Sequence, residues 1–378
     1  MDPIKEYAFN QKKTLFKTLK ELCHIPAPSH LEQRRAEYCK NWLIEAGAKG
    51  VYIDNACNVI FPLNCERSKA ITVFAAHTDT VFPDTEPMPY FDDGRRIHCP
   101  GAADDTASVA VLLLMAKYFI DHEIVPKNGI MFVCNSCEEG LGNLQGTRQL
   151  FQDYHGRIAR FIAFDSSMDV VCDHCVGSCR YEVEVHTNGG HSFYKFGNKN
   201  AIAELARMID EIYQLEIPEK QGTKTTYNVG TICGGTSVNT IAHNAKMLCE
   251  YRSDNKECLA IMQAQFERIF LLPRAEHVRV SFKKVGERPC EDIDPQNVED
   301  LKQVAFPVIE AVLGQKVSFA SGSTDCNIPL SLGIPALCVG VNQYSGIHTR
   351  EEWVDKDSVV CGLEIAIRLG IAMAEYRM

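Results

Sequence analysis

Acidic and histidine side chains follow several apolar segments of the sequence, in patterns that suit metal binding. His77-Thr-Asp79 comes after Ile71–Ala76, and Glu138-Glu139 comes after Ile130–Cys134. The same pattern recurs at two further places, Asp165 after Phe161–Phe164 and His348 a short loop beyond Ala336–Val341. A fifth motif, Asp104-Asp105, lies at the turn into a helix that starts near Thr106. Each motif alone is more typical of an ordinary hydrogen-bonded or solvated residue. Together they predict a metal site, because imidazole suits zinc and carboxylates can bridge two cations.

The segment VCNSCEEGLGN (residues 133–143) holds two rival signals. Cys134 and Cys137 form a C-x-x-C pattern, which can be a redox or metal motif, and the two glutamates follow directly. The chain has 17 cysteines, an odd number in a long sequence. Disulfide frameworks are typical of small secreted domains, so reduced thiols that pack as small buried hydrophobes are the favoured interpretation.

The elements that position these residues alternate between strand and helix patterns up to about residue 177. This alternation predicts an α/β fold with a largely parallel sheet flanked by helices. In such sheets, ligands collect outside the carboxyl ends of the strands, where the acids and histidines are expected to meet. From 178 to 288 the order is β-α-β-β-α-β, which predicts an inserted α+β ferredoxin-like domain. The predicted domains are therefore 1–177 with 289–378, and 178–288.

Composition excludes several classes of function. The net charge of -10 argues against nucleic-acid binding, which needs concentrated basic residues. The longest apolar run, Val109–Ala116, is too short to cross a bilayer, and the first residues lack the apolar region of a signal peptide. A cytoplasmic protein that acts on small molecules, without membrane or nucleic acid, is the expectation.

The order of motifs resembles that of the M20 metallopeptidases and amidohydrolases over almost the whole chain. The motifs that carry the resemblance are HTDTVF, PGAADDT, EEGLGN, FD, GGH, GGTSVN, GSTDCNIP and GIHT. The resemblance implies a zinc-exopeptidase-like catalytic domain with an inserted lid and dimerisation domain. It also implies two Zn²⁺ ions, with Co²⁺ or Mn²⁺ as alternatives.

By this resemblance, His77 and Asp165 would bind one metal, Glu139 and His348 the other, and Asp104 would bridge them. A hydroxide bridging the metals would then attack the amide carbon.

Three further residues would take part in catalysis. Glu138 would be the general base, and Asp79 would fix the ring of His77. His191, in the GGH motif, would contact the reacting carbonyl, in many relatives from the partner subunit.

Four residues resemble substrate-binding positions. Asn239 and Arg252 lie in the inserted domain, and a structural ion pair is an equal alternative for Arg252. Gly322 and Ser323 belong to a loop that would cradle the substrate with backbone amides.

The acid at position 165 helps to choose among substrates. An Asp there resembles aminopeptidases and dipeptidases, and EEGLGN resembles the peptidase T-like (tripeptide aminopeptidase) branch, although peptidase T has a Lys where this chain has Thr106. A hydrolase of short peptides is therefore favoured, and an N-acyl or N-carbamoyl amino-acid amidohydrolase remains the alternative. The sequence leaves monomer and homodimer open, with the lid domain as the dimer surface by resemblance.

Overall fold

A computed structural model of the protein describes residues 2–66 and 68–376. The chain forms two compact units, one of residues 1–175 and 292–378 and the other of residues 176–291. These limits lie two or three residues from the predicted ones. Among the described residues, no helix combines the length and apolar character that crossing a membrane requires.

The first unit is built on an eight-stranded mixed sheet with the order β1-β2-β6-β3-β7-β16-β8-β15. Its strands are β1 (Tyr52–Ile53), β2 (Val59–Leu63), β3 (Ile71–His77), β6 (Gly129–Asn135), β7 (Ile158–Ala163), β8 (Val170–Cys175), β15 (Ser318–Gly322) and β16 (Ala336–Val339). The central strands β6, β3, β7 and β16 run parallel to one another. The predicted largely parallel sheet is confirmed.

Helices cover this sheet because its central strands are apolar on both faces. Every residue of β3 and of β6 is buried, as expected for strands inside a parallel sheet. The helices of the first unit are α1 (Pro3–Asn10), α2 (Lys12–Cys23), α3 (Gln33–Glu45), α4 (Ala107–Asp121), α5 (Gln145–Asp153), α8 (Pro295–Leu313), α9 (Asn327–Ser331) and α10 (Lys356–Glu375). Helix α4, with the sequence ASVAVLLLMAKYFID, is buried almost all round.

A small four-stranded sheet includes the strand that leads into the segment carrying Asp104. Its order is β17-β18-β5-β4, and its strands are β4 (Phe91–Asp92), β5 (Arg96–His98), β17 (Tyr344–Ser345) and β18 (Trp353–Asp355). Because β5 pairs with β18, this sheet joins the segment before Asp104 to the hairpin that carries His348.

The second unit has the predicted β-α-β-β-α-β order in an antiparallel sheet, β11-β13-β9-β14. The elements of this unit are β9 (Gly177–His186), β10 (Gly190–His191), α6 (Ala201–Tyr213), β11 (Thr225–Gly234), β12 (Thr240–Ile241), β13 (Asn244–Ser253), α7 (Lys256–Leu271) and β14 (Arg279–Arg288). Strands β10 and β12 form a separate two-stranded ribbon. Alternate residues of β13 are buried, as expected when helices cover one face of a sheet.

Several elements were missed by the sequence patterns. Helix α1, strands β8 and β15, and the small sheet were not predicted. Strand β8 includes the cysteine-rich run around Cys172 and Cys175, whose polar residues hide the apolar alternation. Strands of the small sheet have two or three residues, which is too short for a periodicity to be recognised.

Candidate metal centre

Three neighbouring parallel strands bring the first ligand candidates to one edge of the sheet. His77 is the last residue of β3, Glu138 and Glu139 follow β6 by three and four residues, and Asp165 follows β7 by two. Because β6, β3 and β7 are adjacent and parallel, their carboxyl ends meet at the same edge. Asp104 and His348 reach this edge from loops.

The carboxylate of Asp104 lies between two histidines. Its Oδ1 is 3.0 Å from His77 Nε2, and its Oδ2 is 2.9 Å from His348 Nε2. On the first side, His77 Nε2 is also 4.0 Å from Asp165 Oδ1. On the second side, His348 Nε2 is 3.3 Å from Glu139 Oε1. This is the arrangement that a carboxylate bridging two cations requires.

The donor atoms fit metal ions in spacing as well as in type. His77, Asp104 and Glu139 have ligand atoms within 4.8 Å of one another, and the same is true of His77, Glu138 and Asp165. Two ligands of one tetrahedral zinc lie about 3.3 Å apart, given metal–ligand bonds of about 2.0–2.2 Å. Glu139 Oε1 is buried, and its contact with His348 Nε2, at 3.3 Å, lacks the geometry of a hydrogen bond. Such an oxygen is costly unless a cation satisfies it.

The local charges also favour cations. Although burial opposes a charged imidazole, Asp104 and Asp79 raise the pKa of His77 well above its usual range. The neighbouring carboxylates of Asp104 and Glu139 raise the pKa of His348 to about 10. Burial, with the nearby charges of Asp104 and Glu138, raises the pKa of Glu139 to about 7. The centre has more carboxylates than its two histidines can neutralise. Bound divalent cations would reduce the repulsion between these carboxylates.

Asp79 links His77 to the turn that holds the paired glutamates. Its Oδ1 accepts from the backbone N–H of Glu138 and its Oδ2 from that of Glu139, both at 2.9 Å. Oδ2 also accepts from Ser29 Oγ at 2.6 Å. His77 Nδ1 lies 3.5 Å from Asp79 Oδ1 and 3.0 Å from the Asp79 carbonyl oxygen. One buried carboxylate therefore orients both the ring of His77 and the start of the glutamate turn.

The segment that carries Asp104 is irregular. Gly101 has φ +75°, and a Cβ there would lie 2.6 Å from Thr80 Cγ2, so glycine is required both for its conformation and for space. Asp104 has non-helical backbone angles, φ -111° and ψ 90°. The adjacent Asp105 points the other way, and its Oδ2 accepts from the backbone N–H of His77 at 3.0 Å.

Two buried charged residues near the centre were missed in the sequence. Glu352 accepts hydrogen bonds from three backbone N–H groups in the segment that carries Asp104. Arg35 donates to the carbonyl oxygen of Thr78, between His77 and Asp79, at 2.7 Å. The helical spacing could have indicated that Arg35 is buried, because it shares the buried face of α3 with Cys39 and Leu43. Glu352 is one of two adjacent glutamates after GIHTR, and nothing in the sequence separates it from exposed Glu351.

The C-x-x-C pair has no metal partner among the described residues. Cys134 is buried on β6. Cys137, with φ +56°, has its Sγ 3.2 Å from Glu32 Oε1, and burial together with Glu32 raises the pKa of its thiol. Both cysteines therefore pack as buried thiols.

The loop with Gly322 and Ser323 begins at the end of β15. Two residues later, Asp325 is buried and accepts from Asn135 Nδ2 and Thr147 Oγ1, both at 2.5 Å. Asn135 is the last residue of β6, so Asp325 ties this loop to the strand that precedes the paired glutamates.

The remaining predicted residues belong to the second unit. His191 ends β10 and is exposed, and it pairs with Thr240 of β12. Asn239 is next to it, because its carbonyl oxygen accepts from the N–H of Ser192 at 2.9 Å. Arg252 donates to Glu250 at 2.8 and 3.1 Å. The structure brings His191 and Asn239 together and gives Arg252 an acidic partner within its own sheet.

Comparisons with known proteins show what this chain is similar to. Residues 73–370 match the model of Peptidase family M20/M25/M40. The chain is 25% identical over 345 residues to succinyl-diaminopimelate desuccinylase of Corynebacterium glutamicum, covering 88% of this chain and 89% of the relative. Its fold is similar to that of aminopeptidase PepT from Bacillus cereus, with a TM-score of 0.73, 20% identity, and 96% and 99% of the two chains covered. It is also similar to a dinuclear metal binding peptidase of the M20 family from Bacillus subtilis, with a TM-score of 0.65, 15% identity, and 96% and 98% covered.

Proposed function

Because the chain belongs to peptidase family M20/M25/M40, a family of hydrolases of peptide and amide bonds, we propose that it is a two-metal enzyme that cleaves short peptides. The observation that carries this proposal is the Asp104 carboxylate, whose two oxygens face His77 and His348 at 3.0 and 2.9 Å.

The residues present fit two metal ions. His77 and Asp165 would hold one ion, and His348 and Glu139 the other, with one oxygen of Asp104 given to each. The nitrogen and carboxylate donors suit Zn²⁺, and Co²⁺ or Mn²⁺ accept the same set. A solved structure of similar fold is described as a dinuclear metal binding peptidase, which supports this assignment.

Bound in this way, the metal ions would lower the pKa of a water molecule and polarise the scissile carbonyl. Glu138 is 4% exposed and lies in the group with His77 and Asp165. We assign it as the general base, which accepts the proton of the attacking water and then delivers it to the leaving amine. Asp79 holds the backbone at Glu138 and so directs that carboxylate.

The second unit supplies candidates for substrate binding. We propose that His191 contacts the reacting carbonyl and that Asn239 and Arg252 bind the rest of the substrate, with Arg252 suited to a carboxylate. Gly322 and Ser323 would add backbone contacts from the first unit. We also propose that the second unit acts as a lid and forms the interface of a homodimer.

The choice of an aminopeptidase or a di- or tripeptidase rests on Asp165, on the EEGLGN motif and on the likeness in fold to aminopeptidase PepT. The alternative, an N-acyl or N-carbamoyl amino-acid amidohydrolase, is favoured by one observation, the similarity along most of the chain to a desuccinylase. A cytoplasmic location is supported by the cysteines, since no disulfide joins any of the 17, all of which are described residues, and reduced thiols persist in reducing compartments.

A substrate screen tests the proposal. The metal-free protein would be reconstituted with Zn²⁺, Co²⁺ or Mn²⁺ and incubated with di- and tripeptides, and in parallel with N-acetyl, N-succinyl and N-carbamoyl amino acids. We expect chelator-sensitive cleavage of the free peptides and about two metal ions per chain by elemental analysis. Cleavage of the acylated set alone would establish the alternative. Failure to bind metal, or activity that survives chelation, would refute the two-metal proposal.

A further inference from the structure

Glu352 is a buried carboxylate that the proposed reaction does not use. It is 1% exposed and lies four residues after His348. Its Oε2 accepts from the N–H of Gly101 at 2.8 Å, and its Oε1 accepts from the N–H groups of Ala103 at 2.8 Å and Asp104 at 3.1 Å. Its oxygens are therefore engaged by backbone, and it belongs to neither group of candidate ligands found among the described residues.

These three N–H groups lie in a segment without regular secondary structure at Asp104. The last of them belongs to Asp104 itself, whose side chain must reach two histidines at once. Three hydrogen bonds from backbone N–H groups to one buried carboxyl group hold this segment in place. A single buried glutamate thus fixes the backbone from Gly101 to Asp104, and with it the direction of the Asp104 carboxylate.

Glu352 also connects this segment to the hairpin of His348. It immediately precedes β18, which pairs with β17 on one side and with β5 on the other. Its backbone oxygen accepts from the N–H of Cys99, just after β5, at 3.2 Å. A shift of the His348 hairpin would therefore move the backbone of Asp104 with it.

We propose that Glu352 is a positioning residue of the metal centre, which holds Asp104 and His348 in the mutual geometry needed to bind two ions. This inference rests on the proposed function, because it assumes that Asp104 bridges two metals. Glu352 acts through Asp104 and is not itself a ligand.

The test compares E352Q with E351Q. Glutamine has the shape of glutamate but turns one acceptor oxygen into an amide that faces backbone N–H groups. Glu351 is the exposed neighbour, so its substitution controls for the loss of one charge in the same hairpin. Zn²⁺ titration of the metal-free proteins should show ~10–100-fold weaker binding of at least one ion by E352Q. E351Q should bind like the wild type.

Amide hydrogen exchange supplies a readout that needs neither metal nor activity. In the metal-free wild type, the amides of Gly101, Ala103 and Asp104 should exchange at least ~10-fold more slowly than those of Arg95 and Arg96. The latter two also donate to a carboxylate, that of Asp93, but in an exposed turn. In E352Q the protection at 101–104 should be lost while that of β3 is kept. The wild-type comparison needs no variant, so it tests the inference even if E352Q fails to fold. Unprotected amides at Gly101, Ala103 and Asp104 would refute the inference.

The outcomes separate this inference from the proposed function. A wild-type protein that binds two ions, together with an E352Q protein that binds them equally well, overturns only the role of Glu352. Faster exchange at 101–104 with unchanged zinc affinity also overturns it, since the role would then be structural alone. A wild-type protein that binds no divalent metal overturns both proposals.

Discussion

At the scale of single residues, two adjacent glutamates have different surroundings. Glu139 lies with His77 and Asp104 and has its Oε1 3.3 Å from His348 Nε2. Glu138 lies instead with His77 and Asp165. The backbone N–H groups of both glutamates donate to the same Asp79 carboxylate. Their side chains nevertheless have different neighbours. Neighbours in the chain can therefore serve as base and ligand.

This division predicts the effect of Glu138→Gln. An amide cannot accept the proton of the attacking water, so kcat should fall ~10²–10⁴-fold while zinc content stays at the wild-type level. Steady-state kinetics and elemental analysis on the same sample would check this. The matched control is Glu86→Gln, an exposed position, which should leave both unchanged. Near-normal turnover of the Glu138 variant would mean that another group is the base.

A second prediction concerns Asp79→Asn. The amide retains one oxygen, so it cannot accept from both Glu138 and Glu139, and its NH₂ group would face a backbone N–H. We expect kcat/KM or zinc affinity to fall ~10–100-fold. Asp153→Asn, at an exposed carboxylate on α5, should have no effect. Wild-type values for the Asp79 variant would show that the turn holds its shape without this carboxylate.

At the scale of elements, buried Arg35 joins two helix ends and a strand end. Its guanidinium donates to the carbonyl oxygen of Leu22, in the last turn of α2, at 3.0 Å and to that of Ile25, just after α2, at 2.8 Å. It also donates to the carbonyl of Thr78 and to Thr106 Oγ1, at 2.7 and 3.2 Å. One side chain of α3 thus contacts the end of β3 and the start of α4, the two elements between which Asp104 lies.

Replacing Arg35 with Met should destabilise the protein more than most substitutions do. Each buried acceptor left without a donor costs about 1–3 kcal/mol. The carbonyl groups of Ile25 and Thr78 lose the donor that Arg35 supplies, whereas that of Leu22 keeps the N–H of Ile25. We expect the free energy of unfolding to fall by about 3 kcal/mol or more, measured by urea denaturation of the metal-free protein. Arg34→Met, at the exposed neighbour on the same helix, should change stability by less than about 0.5 kcal/mol. A similar loss in both variants would contradict the role given to Arg35.

At the scale of the whole molecule, the 17 cysteines divide by exposure. None of them, all described residues, forms a disulfide; 13 are buried, three are half-buried and Cys233 is exposed. The prediction that most serve as small buried hydrophobes agrees with this distribution. Burial also raises the pKa of the half-buried Cys57 thiol to about 11, which keeps it protonated and unreactive at neutral pH.

Thiol labelling should therefore detect one fast-reacting cysteine per chain. With iodoacetamide at pH 7.5 we expect Cys233 to be modified first, because it alone among the cysteines is exposed, and Cys233→Ser should abolish the fast phase. Mass spectrometry of the dilute protein would count the modified thiols. Full denaturation should then expose all 17. Several fast thiols in the native protein, or fewer than 17 after denaturation without reductant, would contradict this distribution.

Much of the fold followed from local patterns. Apolar runs predicted β3 and β6, and helical periodicity predicted α2 and α3. Burial on both faces of a strand leaves a continuous apolar run in the sequence, and burial on one face of a helix leaves a periodic one. The order of elements then indicated both the α/β sheet and the ferredoxin-like unit. Most candidate ligands were recognisable because they follow such a run, and Asp104 because it lies at the turn into α4.

Contacts between segments far apart in the chain could be recognised only once the chain was folded. Asp79 reaches the backbone of Glu138 and Glu139, Glu352 reaches Gly101 to Asp104, and Arg35 reaches Thr78. No periodicity records these pairings, since a buried carboxylate or guanidinium is stabilised by whichever backbone groups the fold presents to it. The sequence determined which side chains could hold metal ions. The packing of distant loops decided which other charged residues hold those side chains in place.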